Sequence, residues 1–223
     1  MIIMFNFAPD INKVFMKKFF ITLAVLALGA TAASAQQLSV SAGYLNSSFL
    51  SSDDKTDAFN GFTVGVGATK YLNEYVGVAT GLYYSFLNQS SEKGVGLGGF
   101  SASGKASTNE HYFTLPVHIA GKVDFGGFGL FAQAGPSLNL GLASSTKLTA
   151  SATGLGSTET TSDNYGEDSS YGRFDVLIGG KLGIEVAGAQ VFVGYNYGLL
   201  DRFKADNYSA HRSEISAGVS FLF

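Results

Sequence analysis

Cysteine is absent from all 223 residues of the chain. Its absence excludes disulfides, thiolate nucleophiles, Cys-ligated zinc and a lipid-modified N-terminal cysteine. Charged residues are also scarce, at 14%, and the formal net charge is −3. Without an excess or a stripe of Lys and Arg, the chain has no electrostatic basis for binding nucleic acid, and we expect none to be a partner.

Long apolar runs are scarce as well, although 46% of the residues are hydrophobic. The run that comes nearest to membrane-helix length covers residues 19–33, which is shorter than the roughly 20 residues that a spanning helix needs. A chain this apolar must shield its hydrophobic side chains in another way. Alternation along β-strands does so, because every second side chain can face lipid while the others face inward.

The apolar run at residues 19–33 has the flanks of an export signal. Two lysines precede it, and Ala33-Ser34-Ala35 follows before Gln36. A basic segment, an apolar core and an Ala-x-Ala site in this order are typical of a secretory signal peptide. We therefore predict cleavage between Ala35 and Gln36, with an upstream segment and signal peptide at 1–35 and the exported domain at 36–223. The alternative is an N-terminal anchor helix, which the short apolar core disfavours.

Apolar side chains alternate with small or polar ones in eight segments of the exported domain, and a period of two indicates half-buried strands. The predicted strands are Leu38–Asn46, Gly61–Tyr71, Val76–Leu87, Glu110–Val123, Phe128–Leu142, Arg173–Val186, Val191–Leu200 and His211–Phe223. The expected fold class is all-β: an eight-stranded antiparallel up-and-down transmembrane β-barrel.

The connections between these strands alternate in length. The short ones are Leu72–Tyr75, Asp124–Gly127 and Ala187–Gln190, and the long polar ones are Ser47–Asn60, Asn88–Asn109, Ala143–Gly172 and Asp201–Ala210. Short turns on one side and long loops on the other are typical of outer-membrane barrels, whereas nothing in a β-sandwich requires this asymmetry. The pattern predicts a protein of the outer membrane of a Gram-negative bacterium, with its long loops outside the cell.

The opposite face of the strands is rich in glycine, as the crowded concave side of a narrow barrel requires. Eight charged residues share that face: Lys122, Arg173, Lys181, Arg212, Glu110, Asp175, Glu185 and Glu214. A charge inside a membrane must be paired or hydrated, so equal numbers of both signs predict a charge network in the lumen. Pro116 and Pro136 lack a ladder donor, and we expect a local bulge where Pro116 comes near Gly135.

Three segments resemble known outer-membrane proteins. The stretch Ile215-Ser216-Ala217-Gly218-Val219-Ser220-Phe221-Leu222-Phe223 resembles the assembly signal of outer-membrane barrels, with Phe221 and Phe223 as its aromatic residues. The segments Phe113–Val117 and Gln133–Pro136 resemble the outer-membrane β-barrel domain family of Bacteroidetes, the porin-like group that includes PorT. The resemblance covers residues 36–223, and it implies an eight-stranded barrel whose partners are outer-membrane lipid and the barrel-assembly machinery.

Residues that carry chemistry are few. His111, His118 and His211 are the only imidazoles, and with no recognisable Asp or Ser motif beside them they are interpreted as lumen or strand-end residues. We therefore predict no enzymatic activity, cofactor or metal. Eight strands leave too little interior for an open porin channel. The predicted role is structural, or surface interaction with an extracellular ligand through the long loops; the alternative is a narrow barrel that transports a small hydrophobic molecule.

Overall fold

A computed structural model describes residues 37–51, 58–97, 100–152, 156–165, 172–201 and 210–223. These residues contain nine β-strands and no helix long and apolar enough to cross a membrane. In chain order the strands are β1 Gln37–Ser51, β2 Phe59–Tyr71, β3 Val76–Leu97, β4 Phe100–Asp124, β5 Gly129–Ala152, β6 Gly156–Asp163, β7 Phe174–Val186, β8 Ala189–Gly198 and β9 Ala210–Leu222.

Eight of the strands close an antiparallel ring, which confirms the predicted fold class. Around the ring, β1 pairs with β2, then β3, β4, β5, β7, β8 and β9 follow, and β9 pairs with β1. Beyond the last ladder rung, the backbone amides and carbonyls of Leu38 and Phe223 exchange two further hydrogen bonds, of 3.1 and 2.8 Å. β6 pairs with β5 and lies outside the ring.

The short connections lie where the sequence predicted them, and local chemistry fixes each one. Ala187 and Gly188 both have positive φ, 50° and 78°, as a two-residue type I′ turn requires. In the β2–β3 turn, the Asn73 side-chain oxygen accepts hydrogen bonds from the amides of Tyr75 and Val76 at 2.9 and 2.8 Å. These turns set the register of the hairpins and hence the depth of every lumen side chain.

The outer face of the ring is an apolar belt. Its exposed side chains include Leu38, Val40, Val64, Val66, Leu82, Ile119, Leu182, Ile184, Val191, Val193, Ile215 and Phe221. Along β3 the belt runs from Val76 to Phe86, which is about 33 Å of strand at 3.3 Å per residue and about 25 Å of height at a 40° tilt. That height matches the hydrocarbon core that such barrels cross. By their positions in the alternation of their strands, Ala68 and Leu115 also belong to the outward set, but both are buried.

Two of the predicted loops are mostly strand. β3 and β4 continue through residues 88–97 and 100–109, and β5 and β6 occupy much of 143–172. The prediction of loops there was wrong because these strands carry mostly polar or small side chains on both faces, with few large apolar ones such as Leu148, and therefore lack the apolar alternation that reveals a half-buried strand. They form a four-stranded antiparallel sheet, named here the extension, which continues the barrel wall beyond the belt.

The predicted bulge at Pro116 is also wrong in its position. The β4–β5 ladder skips Val117 and His118, but Pro116 pairs with Ser137 and Ile119 with Ala134, so no residue is inserted. The hydroxyl of Thr80 donates to the Pro116 carbonyl at 2.8 Å. The register shifts instead between His111 and Tyr112, where the belt gives way to the extension. Missing donors thus interrupt the ladder without adding a residue.

Candidate functional site

The lumen is the part of the barrel where charged side chains converge, and its loop-side end is built around Arg212 on β9. The Arg212 Nη2 atom donates to Glu110 Oε2 at 2.6 Å, and Nη1 donates to Glu214 Oε1 at 3.1 Å. All three side chains are buried, Arg212 completely. Removing such charges from water is costly, and the charge-assisted hydrogen bonds offset that cost.

Aromatic groups complete the surroundings of this guanidinium. The Tyr112 hydroxyl donates to Glu214 Oε1 at 2.9 Å, and the Arg212 Cζ atom lies 4.9 Å from the Tyr112 ring centre and 5.4 Å from that of Phe49. Both rings are within cation–π range. The arrangement holds the guanidinium between two carboxylates and two rings.

Apolar packing fills the rest of this end. One buried cluster consists of Leu45, Phe49, Phe59, Leu87, Tyr112 and Ala210. The rings of Phe49 and Phe59 meet edge to face, with centres 5.9 Å apart. Leu87 and Ala210 in this cluster are completely buried. We call the cluster, together with the ion pairs of Arg212, the plug. The plug occupies the lumen just below the long connections.

A chamber of about 100 Å³ lies in the middle of the lumen. Its wall includes Lys181 on β7, whose ammonium lies 4.8 Å from the Phe192 ring centre and 5.8 Å from the Tyr83 ring centre. On the neighbouring strands β4 and β5, His118 Nε2 and Ser137 Oγ share a hydrogen bond of 3.1 Å. Sites for organic ligands usually enclose about 300–1,000 Å³, so this chamber suits water or a small ion rather than a larger molecule.

The lumen is narrow on the turn side of the chamber. A second hollow of only about 10 Å³, walled like the chamber by Tyr83, Gln133 and Lys181, continues toward Gln37 and Gln190 near the strand ends. Beyond it, a cavity of about 240 Å³ is lined by Gln37, Tyr71, Asn73, Glu74 and Lys122. The lumen is therefore filled by the plug at the loop side and continues toward the short turns only through a narrow hollow.

The predicted charge network is divided among several levels of the barrel. Arg212 contacts Glu214 and Glu110. Buried Asp175 lies beside them, since a Cβ on Gly198 would be 2.8 Å from Asp175 Oδ2 and 3.1 Å from Arg212 Cβ. Lys181 lies in the chamber, without a carboxylate among the described residues within 4 Å.

The remaining members of that set lie at the two ends. Near the short turns, Lys122 Nζ is 4.5 Å from the Tyr71 ring centre, and Gln190 Nε2 donates to Glu185 Oε2 at 2.9 Å. At the loop side Arg173 is exposed, and its Nη2 donates to the Tyr165 carbonyl at 3.0 Å. The structure does not bring all eight of these charged residues into one cluster.

Sequence reasoning missed the aromatic residues of the lumen. Phe49, Tyr83, Tyr112 and Phe192 all face inward and contact a cation. Their parity was available as a signal, because each lies an even number of residues from a lumen glycine or charge on its own strand. The prediction used only the positions of the charged residues, and it therefore did not include the rings that enclose those charges.

The histidines have ordinary structural partners. His111 faces outward, with Nδ1 2.6 Å from the Tyr84 hydroxyl and its ring 4.9 Å from that of Phe86. His211 stacks on Tyr197 at 5.5 Å, and His118 bonds Ser137 in the chamber. Among the described residues, no group of three His, Cys, Asp or Glu side chains is arranged to hold a metal ion.

The assembly residues predicted at the C-terminus lie on the outer face. Phe221 and Phe223 are both exposed, and Phe223 also joins β1 through its backbone bonds to Leu38. The predicted cleavage site, Ala35 and Gln36, falls outside the residues that the structure describes.

Comparison with known proteins gives one family match. The profile of the family described as outer membrane protein beta-barrel domain matches residues 20–223. No curated protein is significantly similar to the chain.

Solved structures with a similar backbone include three bacterial barrels. Ail, the attachment invasion locus protein of Yersinia pestis, solved with the heparin analogue sucrose octasulfate, is 15% identical with a TM-score of 0.43; the match covers 84% of this chain and 98% of Ail. Neisserial surface protein A is 14% identical with a TM-score of 0.39, covering 83% and 97%. The N-terminal barrel of Pseudomonas aeruginosa OprF is 12% identical with a TM-score of 0.34, covering 85% and 98%.

Proposed function

Because the chain belongs to the outer membrane protein β-barrel domain family, we propose that it is a structural and surface-interaction barrel that acts through its loop-side extension. The observation behind this role is the size of the extension. Residues 88–97 of β3 alone continue for about 30 Å at 3.3 Å per residue, and β4, β5 and β6 run beside them. A folded sheet of this size outside the lipid belt is a surface suited to contact other molecules.

The chemistry of the extension supports its place outside the membrane. Beyond Phe86 and His111, the next outward row is polar: Asn88, Asn109 and Ser145 are cross-strand neighbours, and Asn88 Nδ2 donates to Asn109 Oδ1 at 2.7 Å. All eight residues of β6 are exposed. Polar side chains on both faces of a sheet are compatible with water on both sides and incompatible with lipid.

The lumen argues against the transport alternative. A path for an organic molecule needs an open interior, whereas the chamber encloses only about 100 Å³ between apolar side chains such as Phe192 and polar ones such as Lys181. At the loop side the plug leaves no described opening, since Arg212, Leu87 and Ala210 are completely buried. The outward-facing function is therefore assigned to the surface of the protein rather than to a pore.

Shortening the extension tests this role. Residues 90–107 are replaced by Asn-Gly between the paired Gln89 and Thr108, and residues 147–161 by Asn-Gly between the paired Thr146 and Ser162. Asn-Gly favours the type I′ turn that joins such neighbours. The shortened barrel should keep its heat-modifiable gel mobility but lose attachment of expressing cells to immobilised glycans and matrix proteins.

A lumen variant, Lys181→Met, is the matched control because it leaves the extension unchanged. It should attach as the wild type does. Attachment that survives the double shortening, or a wild type that attaches to nothing on the panel, would contradict the proposed surface role.

Export and assembly belong to the same proposal. We propose that the chain crosses the inner membrane with a signal peptide cleaved between Ala35 and Gln36, so that the intact mass of purified protein should correspond to residues 36–223. Peptides from residues 17–33 in the mature protein would contradict cleavage.

We propose further that Phe221 and Phe223 act as the recognition signal for the assembly machinery. Deletion of Phe223 should lower the outer-membrane yield, while Phe223→Tyr should preserve it, because an aromatic ring at the membrane interface is retained. Equal outer-membrane levels of the deletion variant and the wild type would leave Phe223 with no special role.

A further inference from the structure

Lys181 differs from the other deep cation of the lumen. Arg212 has two carboxylates within 3.1 Å, whereas no acidic oxygen of the described residues lies within 4 Å of Lys181 Nζ. Its described charge partners are the rings of Phe192 and Tyr83. A cation at membrane depth requires a counter-charge or hydration. The two aromatic faces give the ammonium less electrostatic stabilisation than a carboxylate would.

The chamber around Lys181 offers hydrogen-bond donors that are not engaged elsewhere. Gln133 pairs with Lys181 across the β5–β7 ladder, and its amide group carries two N–H donors. The Ser216 hydroxyl also lines the chamber. Neither side chain has a hydrogen-bond partner among the described residues.

One acid lines the same chamber, at the end next to the plug. Glu214 accepts hydrogen bonds from the Arg212 guanidinium at 3.1 Å and from the Tyr112 hydroxyl at 2.9 Å, both through Oε1. No described carboxylate oxygen reaches Lys181 Nζ in the same way. The Lys181 side of the chamber therefore combines a positive charge with neutral donors, which is the chemistry that recognises an anion.

We propose that the chamber binds a small inorganic anion of chloride size, held by the Lys181 ammonium together with the Gln133 amide and the Ser216 hydroxyl. The volume of about 100 Å³ excludes most organic anions, whose sites are several times larger. This site is independent of the surface role assigned to the extension.

Anion titration in lipid nanodiscs tests the site. Sodium chloride is exchanged for sodium gluconate at constant ionic strength, and the backbone amide resonances of Lys181, Gln133 and Ser216 are followed by NMR. Chloride should shift these resonances along a saturating curve, while gluconate, which is too large for the chamber, should leave them unchanged. Equal or non-saturating shifts with both salts would overturn the proposal.

Two variants locate the binding. Lys181→Met keeps the apolar stem and removes the charge, and Gln133→Met removes the neighbouring amide donors. Each should weaken chloride binding by roughly ten- to a hundredfold, the range expected from losing a hydrogen bond to a charged group. Lys122→Met is the matched control, since Lys122 lies at the turn-side mouth beside Tyr71 and its loss should leave the affinity unchanged. An unchanged affinity in both chamber variants would overturn the assignment.

Crystals soaked in sodium bromide give the position directly. An anomalous peak should appear within hydrogen-bond distance of Lys181 Nζ in the wild type and be absent from Lys181→Met. A peak at that place without saturable binding in nanodiscs would identify an adventitious ion only and contradict the proposal. If Lys181→Met lacks the heat-modifiable mobility of a folded barrel, Gln133→Met alone decides the outcome.

Discussion

The barrel and the extension contain the same kind of interaction in opposite settings. In the barrel, Arg212 and Glu110 lie 2.6 Å apart with side chains 0% and 1% exposed; in the extension, Lys147 and Glu159 lie 2.8 Å apart with side chains 50% and 55% exposed. The distances are nearly equal, but the consequences of removing one partner are not. Burial, rather than geometry, determines how strongly a charge pair constrains the protein.

The contrast extends to the whole of each region. Within the lipid belt, every outward side chain must be apolar and every lumen charge must be paired or hydrated. In the extension, mostly polar or small side chains occupy both faces, as is expected of a sheet with water on both sides. We infer that the belt and plug define the fold, and that the extension is free to vary for the purposes of binding.

Removing the plug cation should have the largest effect. Arg212→Met leaves Glu110 and Glu214 buried without their common partner, and we expect a loss of about 3–5 kcal/mol in the free energy of unfolding. Lys147→Met, in the exposed pair, should change it by less than about 1 kcal/mol. Guanidinium unfolding in lipid vesicles, followed by circular dichroism, measures both. Similar losses for the two variants would remove the distinction between the regions.

A charge on the lipid face should come next in size. Val219 lies on the apolar belt and is exposed, so Val219→Arg should destabilise the barrel by about 2–4 kcal/mol if its depth is near the midplane. Thr158→Arg, on exposed β6, should alter stability by no more than about 0.5 kcal/mol. The same unfolding experiment applies, and an unaffected Val219→Arg barrel would mean that the strand parity is wrong.

Glycine substitutions should also destabilise the barrel more than the extension, but with a smaller difference in the free energy of unfolding. A Cβ at Gly183 in β7 would overlap the carbonyl oxygen of Val191 and approach the Phe131 ring at 2.9 Å, whereas a Cβ at Gly104 in β4 has no atom within 4 Å. Gly183→Ala should cost about 1–3 kcal/mol through overpacking. Gly104→Ala should be neutral, or stabilising by up to about 1 kcal/mol, because it restricts the unfolded chain. A costly Gly104→Ala would indicate that the extension is as tightly packed as the barrel.

The sequence predicted the ring because lipid imposes a simple rule on it. Side chains such as Val64, Ile184 and Val219 must alternate with inward ones, and that alternation is visible without a structure. Residues 88–109 and 143–163 gave no such signal, since a strand with water on both faces has no reason to alternate. Strand structure there depends on pairing with neighbours, which a single sequence does not reveal.

The sequence predicted which charged side chains face the lumen, but not how far along the barrel axis each of them lies. Parity placed Arg212 and Glu214 on the inner face, and they do meet. It could not separate Lys181 from them or place Arg173 outside, because depth depends on the register of each hairpin and on the shift between His111 and Tyr112. The plug also depends on aromatic contacts, such as that of Tyr112 with Glu214, which charge parity does not report.

Ion conductance of the purified protein in planar lipid bilayers distinguishes a filled lumen from an open one. The plug, formed by Arg212, Glu110, Glu214 and the apolar cluster around them, fills the loop-side lumen, and we propose that the protein acts through its outer surface. Wild-type protein whose heat-modifiable mobility shows a folded barrel should therefore insert without producing steady conductance. Reproducible conductance steps from such protein would contradict a filled lumen and return the barrel to the class of transport proteins.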